Sequence, residues 1–360
     1  MIDVSLPARI NLVGSPTDAV EGAYATISAA VALRGGAHIT AADQLEFRRA
    51  AGATAVFPRR GINAPQGFDV EAGAVNALLR HAPEFAERLG ERGAAISTWT
   101  DIPASSGLAG SSVLVLAVLA ALRAFYGLDP WRYNDYVLAE IGQRAEEHEM
   151  GVVCGFADRY VPLLGDIAYL SYHGKLWHKP LGEEPLVTYE KLGPYVPALR
   201  FVVATTGVQR DSGSVHAPMR ARYLEERRRG SGTLLELGRR LGETPWRGKI
   251  ALLAGDLAEC GRQINRNQAL IDEMMRTCGF ASGVGEEVNW LAAAARDAGA
   301  LGAKLTGAGG GGAIFALVAP GREAPLADAL HTAAQRAGLN GSQVLILPVS
   351  PTGLQVVHVS

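Results

Sequence analysis

The strongest feature of the hydrophobic pattern is an uninterrupted apolar run at residues 113–122, which directly follows a loop of small residues. The loop, residues 103–112, reads Pro-Ala-Ser-Ser-Gly-Leu-Ala-Gly-Ser-Ser. A small-residue loop that leads into an apolar run is typical of the start of a buried helix. Because a bilayer span takes about 20 apolar residues, the run predicts a core helix instead of a membrane helix.

Breakers and apolar periods divide the rest of the chain into strands and helices without a long strand–helix–strand series. Predicted strands cover residues 2–12, 94–99, 200–205, 313–318 and 343–347; predicted helices cover 72–89, 111–126, 133–149, 218–229, 234–241, 249–267 and 286–298. This order favours an α+β fold over a doubly wound sheet.

A stretch rich in proline and glycine, residues 182–197, is interpreted as the connection between two domains. A chain of 360 residues is long enough for two domains, each with its own core. We therefore predict an N-terminal domain at residues 1–190 and a C-terminal domain at residues 191–360.

The loop at 103–112 has the chemistry of an anion site. Backbone N–H groups at a helix start attract negative charge, and Gly107 and Gly110 let the backbone approach a ligand closely. Ser111 and Ser112 can cap the helix and offer hydroxyls to a phosphate or a metal. Taken alone, the loop fits a phosphate cradle and a well-capped core helix equally well.

A second glycine segment, residues 304–318, places a run of glycines before a short apolar strand. Two distant regions of the chain can thus each bring bare backbone against something flat or charged. The spacings match neither the Walker phosphate loop nor the dinucleotide fingerprint, so both of those sites are disfavoured.

Composition narrows the class of protein. A formal net charge of −2 gives no overall bias toward nucleic acid or an anionic membrane. Cys154, Cys260 and Cys278 have neither metal-ligand spacing nor an even count, which favours a reducing compartment. Since no charged-then-apolar leader opens the sequence, we expect a cytoplasmic protein. We also expect a monomer or homodimer whose partners are small molecules, with neither nucleic acid nor membrane.

Three segments together resemble the GHMP kinases, small-molecule kinases that include galactokinase, homoserine kinase and mevalonate kinase. Residues 7–18, Pro-Ala-Arg-Ile-Asn-Leu-Val-Gly-Ser-Pro-Thr-Asp, are similar to the family's first motif, 103–112 to the second and 304–312 to the third. The resemblance implies an N-terminal domain like ribosomal protein S5 domain 2 and a ferredoxin-like C-terminal domain. The active site is then expected in the cleft between them.

Within the family, residues 145–159 and 211–223 resemble the sugar 1-kinases, above all glucuronokinase and galactokinase. Where galactokinase has Glu-His-Thr-Asp, this chain has Ser-Pro-Thr-Asp at 15–18, which is nearer to glucuronokinase. The resemblance implies ATP-dependent transfer of a phosphoryl group to the anomeric hydroxyl of a monosaccharide or uronic acid.

The resemblance also implies roles for the site residues. Asp158 matches the catalytic base and Arg9 a residue that stabilises the transferring phosphoryl group or holds Asp158. Ser111 and Glu146 match the family's pair of Mg²⁺ ligands, hard oxygen groups that such an ion prefers. The galactokinase spacing selects Glu146, whereas the mevalonate kinase and glucuronokinase spacing selects Glu147.

Binding residues follow from the same motifs. The expected ATP-binding residues are Pro103, Ser105, Ser106, Gly107, Leu108, Ala109, Gly110, Ser111, Ser112, Gly307, Gly309 and Gly310. The expected acceptor-binding residues are Ser15, Asp18, Asp158, His216, Arg220 and Gly309. Of the basic residues in the 211–223 stretch, His216, Arg220 and Arg222 could face an acid group.

Two other functions remain open at this point. A non-sugar GHMP kinase or decarboxylase would act on a mevalonate-like substrate, and a catalytically silent member would sense a ligand. The joint presence of Arg9, Ser111, Glu146 and Asp158 favours an enzyme, because a sensor needs no phosphoryl-transfer residues.

Overall fold

A computed structural model describes residues 1–20, 24–49, 54–57, 67–175, 179–208, 213–307 and 309–359, with the backbone alone for 213–216. The strands are β1 Ile2–Val13, β2 Ala25–Ala42, β3 Leu45–Arg48, β4 Thr54–Phe57, β5 Gly93–Thr100, β6 Ile167–Ser171, β7 Thr188–Lys191, β8 Arg200–Thr205, β9 Gly302–Leu305, β10 Ala313–Leu317, β11 Val344–Pro348 and β12 Gln355–His358. The helices are α1 Asp69–His81, α2 Pro83–Glu91, α3 Gly110–Phe125, α4 Asp135–Arg144, α5 Ala157–Leu164, α6 Gly213–Arg229, α7 Thr233–Leu253, α8 Leu257–Thr277, α9 Glu286–Asp297 and α10 Glu323–Arg336.

The first sheet has the order β12-β1-β2-β5-β3-β4, and β2 also pairs with β6, which pairs with β7. The pairings are antiparallel except for β3 with β5. The last strand of the chain, β12, lies beside the first one, β1. The chain therefore returns to its N-terminal sheet after it has formed the second half of the molecule.

The predicted core helix is α3, and it packs against β1, β2 and α1. Ten of its sixteen residues are buried, and they lie on all sides of the helix. A helix that is apolar all round is expected where other elements cover it completely. Its N-terminus is thus fixed in place by the core of the first half.

The second sheet is antiparallel, with the order β11-β8-β10-β9. Helices α9 and α10 pack on it and enclose a second apolar core. Helix α8 contacts both β9 of this sheet and β1 of the first sheet, and α7 contacts β2. These two helices join the halves of the molecule at the position where the candidate site lies.

Several predicted helix bounds were wrong. The helix predicted at 72–89 is divided into α1 and α2 at Ala82, just before Pro83. The one predicted at 133–149 ends as α4 at Arg144 and continues as a π-helical turn, Ala145–Glu149. The start predicted at residue 249 lies inside α7, which runs on to Leu253, so that α8 begins only at Leu257.

Among the described residues, no helix combines the length and the apolar character that a membrane span would need.

Candidate active site

A cavity of about 540 Å³ lies where the three predicted motifs meet. It is lined by the end of β1 with the turn that follows, the loop 102–112, the π-helical turn, the segment 152–159 and the glycine segment 307–312. The chain thus brings together residues from both halves of the molecule around one opening.

The loop before α3 has the backbone that a close-fitting cradle needs. Ser105, Gly107 and Ala109 have φ values of 52, 71 and 68°, in the left-handed region. Helix α3 begins at Gly110 after Ala109, and no side chain of the described residues caps its first turn. Ser111 and Ser112 are therefore not caps, contrary to the prediction, and the N–H groups at this helix start remain available to an anion.

The side chains of this loop differ in what they face. Ser106 is buried in the cavity wall, and its Oγ has no hydrogen-bond partner in the described part of the chain. Pro103 and Ser105 also line the cavity, whereas Leu108 is fully buried behind it. Its carbonyl accepts a hydrogen bond from the backbone N–H of Arg9 at 3.1 Å, which attaches the loop to β1.

The two glycine segments touch each other. A Cβ on Gly307 would lie 2.8 Å from the Cα of Gly107, so neither position has room for a side chain. Gly309 also lines the cavity. Gly310 does not, and its N–H donates to the carbonyl of Val284 at 2.6 Å. The two distant segments thus lie against each other beside the cavity, with Gly310 supporting the turn from behind.

Arg9 and Asp158 form a two-point ion pair in the cavity wall. The Nε of Arg9 donates to Asp158 Oδ1 at 2.7 Å, and its Nη2 lies 2.6 Å from Oδ2. Arg9 Nη1 donates to the carbonyls of Gly107 at 2.6 Å and Thr306 at 3.2 Å. One buried guanidinium thus orients the Asp158 carboxylate and fixes it relative to both glycine segments.

Asp18 lies next to this pair in a short 3-10 turn, Thr17–Ala19. Its Oδ2 accepts a hydrogen bond from the N–H of Ala157, the first residue of α5, at 3.1 Å. Burial, and then the charge of Asp158, raise the pKa of the Asp18 carboxyl above its ordinary value. Ser15, which also lines the cavity, lies just before this turn.

On the opposite wall, Glu146 in the π-helical turn accepts hydrogen bonds from Ser112 Oγ at 3.0 and 3.1 Å. Its carboxylate also pairs with Arg159. Ser111 is exposed at the start of α3 and does not contact Glu146 in this way. The Ser–Glu pair that the sequence predicts is thus formed by Ser112, because the second position of the first turn faces the core side.

These oxygen groups suit a hard divalent ion. One carboxylate with one hydroxyl leaves further coordination positions for phosphate and water, which is how Mg²⁺ is usually held. No group of three or more His, Cys, Asp or Glu side chains in the described part of the chain could hold a metal. Glu147 points elsewhere, pairing with Arg220 and accepting from Gln143 Nε2 at 2.6 Å.

The two basic residues predicted to face the acceptor have different outcomes. Arg220 does not line the cavity, because its guanidinium pairs with Glu147 and donates to two backbone carbonyls. The side chain of His216 lies outside the described residues. The predicted clamp for an acid group is therefore not formed by Arg220 in this structure.

Two buried polar residues outside the predicted site set support the site. Lys304 of β9 is fully buried and donates to the carbonyl of Asn11 at 2.9 Å, to Ser15 Oγ at 3.2 Å and to the carbonyl of Leu305 at 2.7 Å. Asn267 of α8 accepts from the N–H of Gly14 and donates to the carbonyl of Ser15. Lys304 begins the third motif, which was the available signal. For Asn267 the sequence left two interpretations open, a contact with the cleft or the end of a polar helix face.

Comparison with known proteins shows which family the chain is similar to. The family model "GHMP kinases N terminal domain" matches residues 73–166, and "GHMP kinases C terminal" matches residues 249–336. The mevalonate kinase of Pyrococcus horikoshii is 31% identical over 296 residues, which are 81% of this chain and 77% of the relative. The galactokinase of Thermococcus kodakarensis is 30% identical over 243 residues, 62% of this chain and 64% of the relative.

Solved structures of a galactokinase and a mevalonate kinase have the same fold. The crystal structure of Lactococcus lactis galactokinase complexed with galactose superposes with a TM-score of 0.76 at 19% identity, over 98% of this chain and 95% of that one. A mevalonate kinase structure gives a TM-score of 0.68 over 97% of this chain. The expected two-domain fold of mixed helices and sheets is confirmed, and the chain belongs to the GHMP kinase family.

Proposed function

We propose that this kinase transfers the γ-phosphate of ATP to the anomeric hydroxyl of a monosaccharide and so produces a sugar 1-phosphate. The observation that carries the proposal is the wall formed by Ser15, Asp18 and Asp158. Carboxylate and hydroxyl oxygens accept hydrogen bonds from a polyhydroxylated ligand. The anomeric position is inferred from the resemblance of segments 145–159 and 211–223 to the sugar 1-kinases.

The charges of the cavity favour a neutral acceptor. Two cations line the described part of the wall, Arg9 and Arg159, and each is already paired with a carboxylate. A carboxylate substrate needs a cation for its recognition, and Arg220 is engaged with Glu147. A neutral sugar therefore has more support than a uronic acid.

The other end of the cavity suits the nucleotide. The uncapped start of α3 and the unpartnered hydroxyl of Ser106 would receive phosphate oxygens. Glu146 and Ser112 would hold Mg²⁺, which when bound would offset negative charge on the phosphates.

The residues between the two ends would perform the transfer. Asp158 would accept the proton of the acceptor hydroxyl while that oxygen bonds to the γ-phosphorus and the bond to the leaving ADP breaks. Arg9 orients this carboxylate by two hydrogen bonds and contributes positive charge beside the transferring group. Little other covalent chemistry is needed, since such transfer depends mainly on positioning and charge.

The test is ADP release with Mg²⁺ and ATP over a panel of glucose, galactose, glucuronate, galacturonate and mevalonate. Phosphorus NMR of the product then identifies the phosphorylated oxygen. The proposal expects a 1-phosphate of a neutral sugar. Phosphorylation at another hydroxyl, or no turnover of any sugar, would overturn it.

A second candidate is a kinase for mevalonate, and the observation in its favour is the similarity to mevalonate kinases over 81% of the chain. Mevalonate carries a carboxylate, so a mevalonate kinase would need a cation in the wall that is not already paired with a carboxylate. In the described part of the wall, Arg9 and Arg159 are both paired. Turnover of mevalonate in the same panel, with no turnover of sugars, would establish it.

A further inference from the structure

Arg220 contacts three segments that lie far from it in the sequence. It lies on α6 in the second half of the molecule and is 8% exposed. Its Nε donates to the carbonyl of Ala19 at 2.6 Å, and its Nη2 donates to the carbonyl of Cys154 at 3.1 Å. Its Nη1 pairs with the carboxylate of Glu147.

Each of these three acceptors is close in sequence to a residue of the site. Ala19 follows Asp18 in the 3-10 turn, and Glu147 follows Glu146 in the π-helical turn. Cys154 belongs to the segment that leads into α5, which carries Asp158. One guanidinium therefore connects the three segments that hold the acceptor end of the cavity and the Glu146 carboxylate.

The geometry suits an arginine and no other residue type. The acceptors lie in three directions, and a planar guanidinium has donors along each of them, whereas an ammonium is a single point charge. The π-helical turn adds a reason for such support, since turns of this kind interrupt regular helix hydrogen bonding. The carbonyls that Arg220 binds, of Ala19 and Cys154, lie in a turn and a loop, outside the regular hydrogen bonding of a helix or sheet.

We propose that Arg220 is a positioning residue that sets the acceptor end of the site, although it does not line the cavity. The inference rests on the proposed kinase function only for its kinetic readout. Its removal should loosen the segments around Asp18 and Cys154, while the phosphate loop at 103–112 and the glycine segment keep their own contacts.

A control for the helix itself is available two residues away. Arg222 also lies on α6, but it binds Glu226 on the same helix and the carbonyl of Thr277 at the end of α8. Arg222→Gln therefore weakens the attachment of α6 without touching the three site segments. If any loosening of α6 were enough, the two variants would behave alike.

Cys154 supplies a readout that needs no substrate. Its thiol is buried, and burial raises the thiol pKa well above its ordinary value, so alkylation of the native protein is expected to be slow. The charge of Arg220 acts in the opposite direction and lowers this pKa, so loss of that charge alone would not speed the reaction, and a faster rate reports opening of the segment. Cys260 is a buried reference in α8, and Cys278 is a partly exposed one. Mass spectrometry of peptides after timed iodoacetamide treatment measures all three rates in one sample.

Arg220→Gln is expected to raise the alkylation rate of Cys154 about tenfold, as the loss of one charged hydrogen bond would do in a locally opening segment. Cys260 should keep its native rate, and Arg222→Gln should match the unmodified protein at Cys154 and Cys260. Cys278 is left out of that comparison, because burial raises and Arg222 lowers the pKa of its thiol, and Arg222 binds the carbonyl of the preceding Thr277. Unchanged protection of Cys154, or a parallel rise at Cys260, would overturn the proposal. If Arg220→Gln does not fold, Arg220→Lys is measured in the same way, with a smaller rise expected.

The kinetic readout separates positioning from general weakening. With the acceptor found in the panel, Arg220→Gln should raise the acceptor KM about tenfold and the ATP KM by a smaller factor, since two of its three contacts lie at the acceptor end and one, with Glu147, lies beside Glu146. Equal rises in both constants would contradict a role at the acceptor end. If the unmodified protein turns over no acceptor, the proposed function fails, and the cysteine measurement still decides the role of Arg220.

Discussion

The carboxylate of Asp158 is the residue on which the proposed chemistry depends most directly. It is held by two hydrogen bonds from Arg9, and about a fifth of its side chain, 21%, remains exposed to the cavity. A base must reach the proton that it accepts, and an oriented carboxylate loses less freedom when the acceptor binds. The hydrogen bonds from Arg9 orient the Asp158 carboxylate, and its exposed part remains accessible to the acceptor.

We predict that Asp158→Asn lowers kcat by about 10²–10⁴-fold, the usual contribution of a positioned general base. Nucleotide affinity should change little, because Asp158 faces the acceptor end. Steady-state kinetics and calorimetric titration with ATP measure the two effects. Near-normal turnover in a variant with an unchanged melting temperature would remove Asp158 from the catalytic role.

The hydroxyl partner of Glu146 gives a matched pair of variants. Ser112→Ala removes the hydroxyl that binds Glu146, whereas Ser111→Ala removes an exposed one on the same helical turn. We expect Ser112→Ala to raise the Mg²⁺ concentration for half-maximal rate about tenfold, within the range seen when a metal site loses a partner. Ser111→Ala should leave it unchanged.

A rise for Ser111→Ala alone would restore the ligand that the sequence predicted. The same titration on Glu146→Gln and Glu147→Gln separates the two carboxylates. Only Glu146 lines the cavity, so a metal effect confined to Glu147→Gln would contradict the arrangement of the site proposed here.

At the scale of elements, the contact between the two glycine segments determines the shape of the phosphate end. A methyl group on Gly307 would meet backbone atoms of Gly107, and backbone cannot rotate away as a side chain can. Because Arg9 donates to the carbonyls of Gly107 and Thr306, the same contact also sets the position of the ion pair with Asp158.

Gly307→Ala is therefore expected to separate the two segments, raise the ATP KM about tenfold or more and destabilise the fold by about 1–3 kcal/mol, the range for overpacking. Gly90→Ala, within α2, is the control, because a Cβ there meets nothing within 4 Å and alanine favours a helix. Unchanged ATP kinetics in Gly307→Ala would show that the contact does not shape the site.

Prediction from sequence succeeded where a local signal agreed with the tertiary environment. Strand β8 has the predicted bounds, and α3 differs from its prediction by one residue at each end. Strand β2 was missed because half of its 18 residues are alanine or glycine, with no alternation of apolar and polar positions. Its burial between other strands is a tertiary property that the local pattern does not carry.

The end predicted for the helix at residue 241 was wrong for a local reason that the structure explains. Pro245 has no N–H to donate to the carbonyl of Leu241, which normally ends a helix. In α7 the hydroxyl of Thr244 donates to that carbonyl at 2.8 Å, so the helix continues through the proline. Proline alone predicts a break, and the compensating side chain is only visible in three dimensions.

The candidate site was predictable as a set of segments but not as a set of contacts. The motifs identified Arg9, Asp18, Glu146 and Asp158, all of which line the cavity. They could not show that Arg220 contacts Glu147, or that Ser112 and not Ser111 faces Glu146. Such choices depend on which way a helix turn faces, and that is fixed by packing across the whole fold.

At the scale of the whole molecule, Lys304 connects the two halves by hydrogen bonds. It projects from β9 in the second sheet and donates to the carbonyl of Asn11 on β1 and to Ser15 beside Asp18. Burial, and then the charge of Arg9, lower the pKa of Lys304 to about 7. The unfolded chain should retain the ordinary lysine pKa, about 10.4.

The sign of the resulting pH dependence follows from proton binding. Between about pH 7 and pH 10.4 the unfolded chain binds a proton at Lys304 that the folded chain does not, so stability rises with pH across this window. Below pH 7 both states are protonated, and the contribution is constant. The free energy of unfolding rises by at most about 1.4 kcal/mol for each pH unit.

Lys304→Met removes the titrating group and keeps most of the side-chain volume. We predict that the melting temperature of the unmodified protein, relative to that of Lys304→Met, rises from pH 7 to pH 9.5 and is flat from pH 5.5 to pH 6.5. Lys249→Met is the control, because Lys249 forms a partly exposed ion pair with Glu190. Calorimetric scans at five pH values decide the matter: parallel melting curves for Lys304→Met and the unmodified protein would mean that the buried ammonium keeps its charge throughout, held by its three oxygen partners, and that Lys304 adds no pH dependence to the stability.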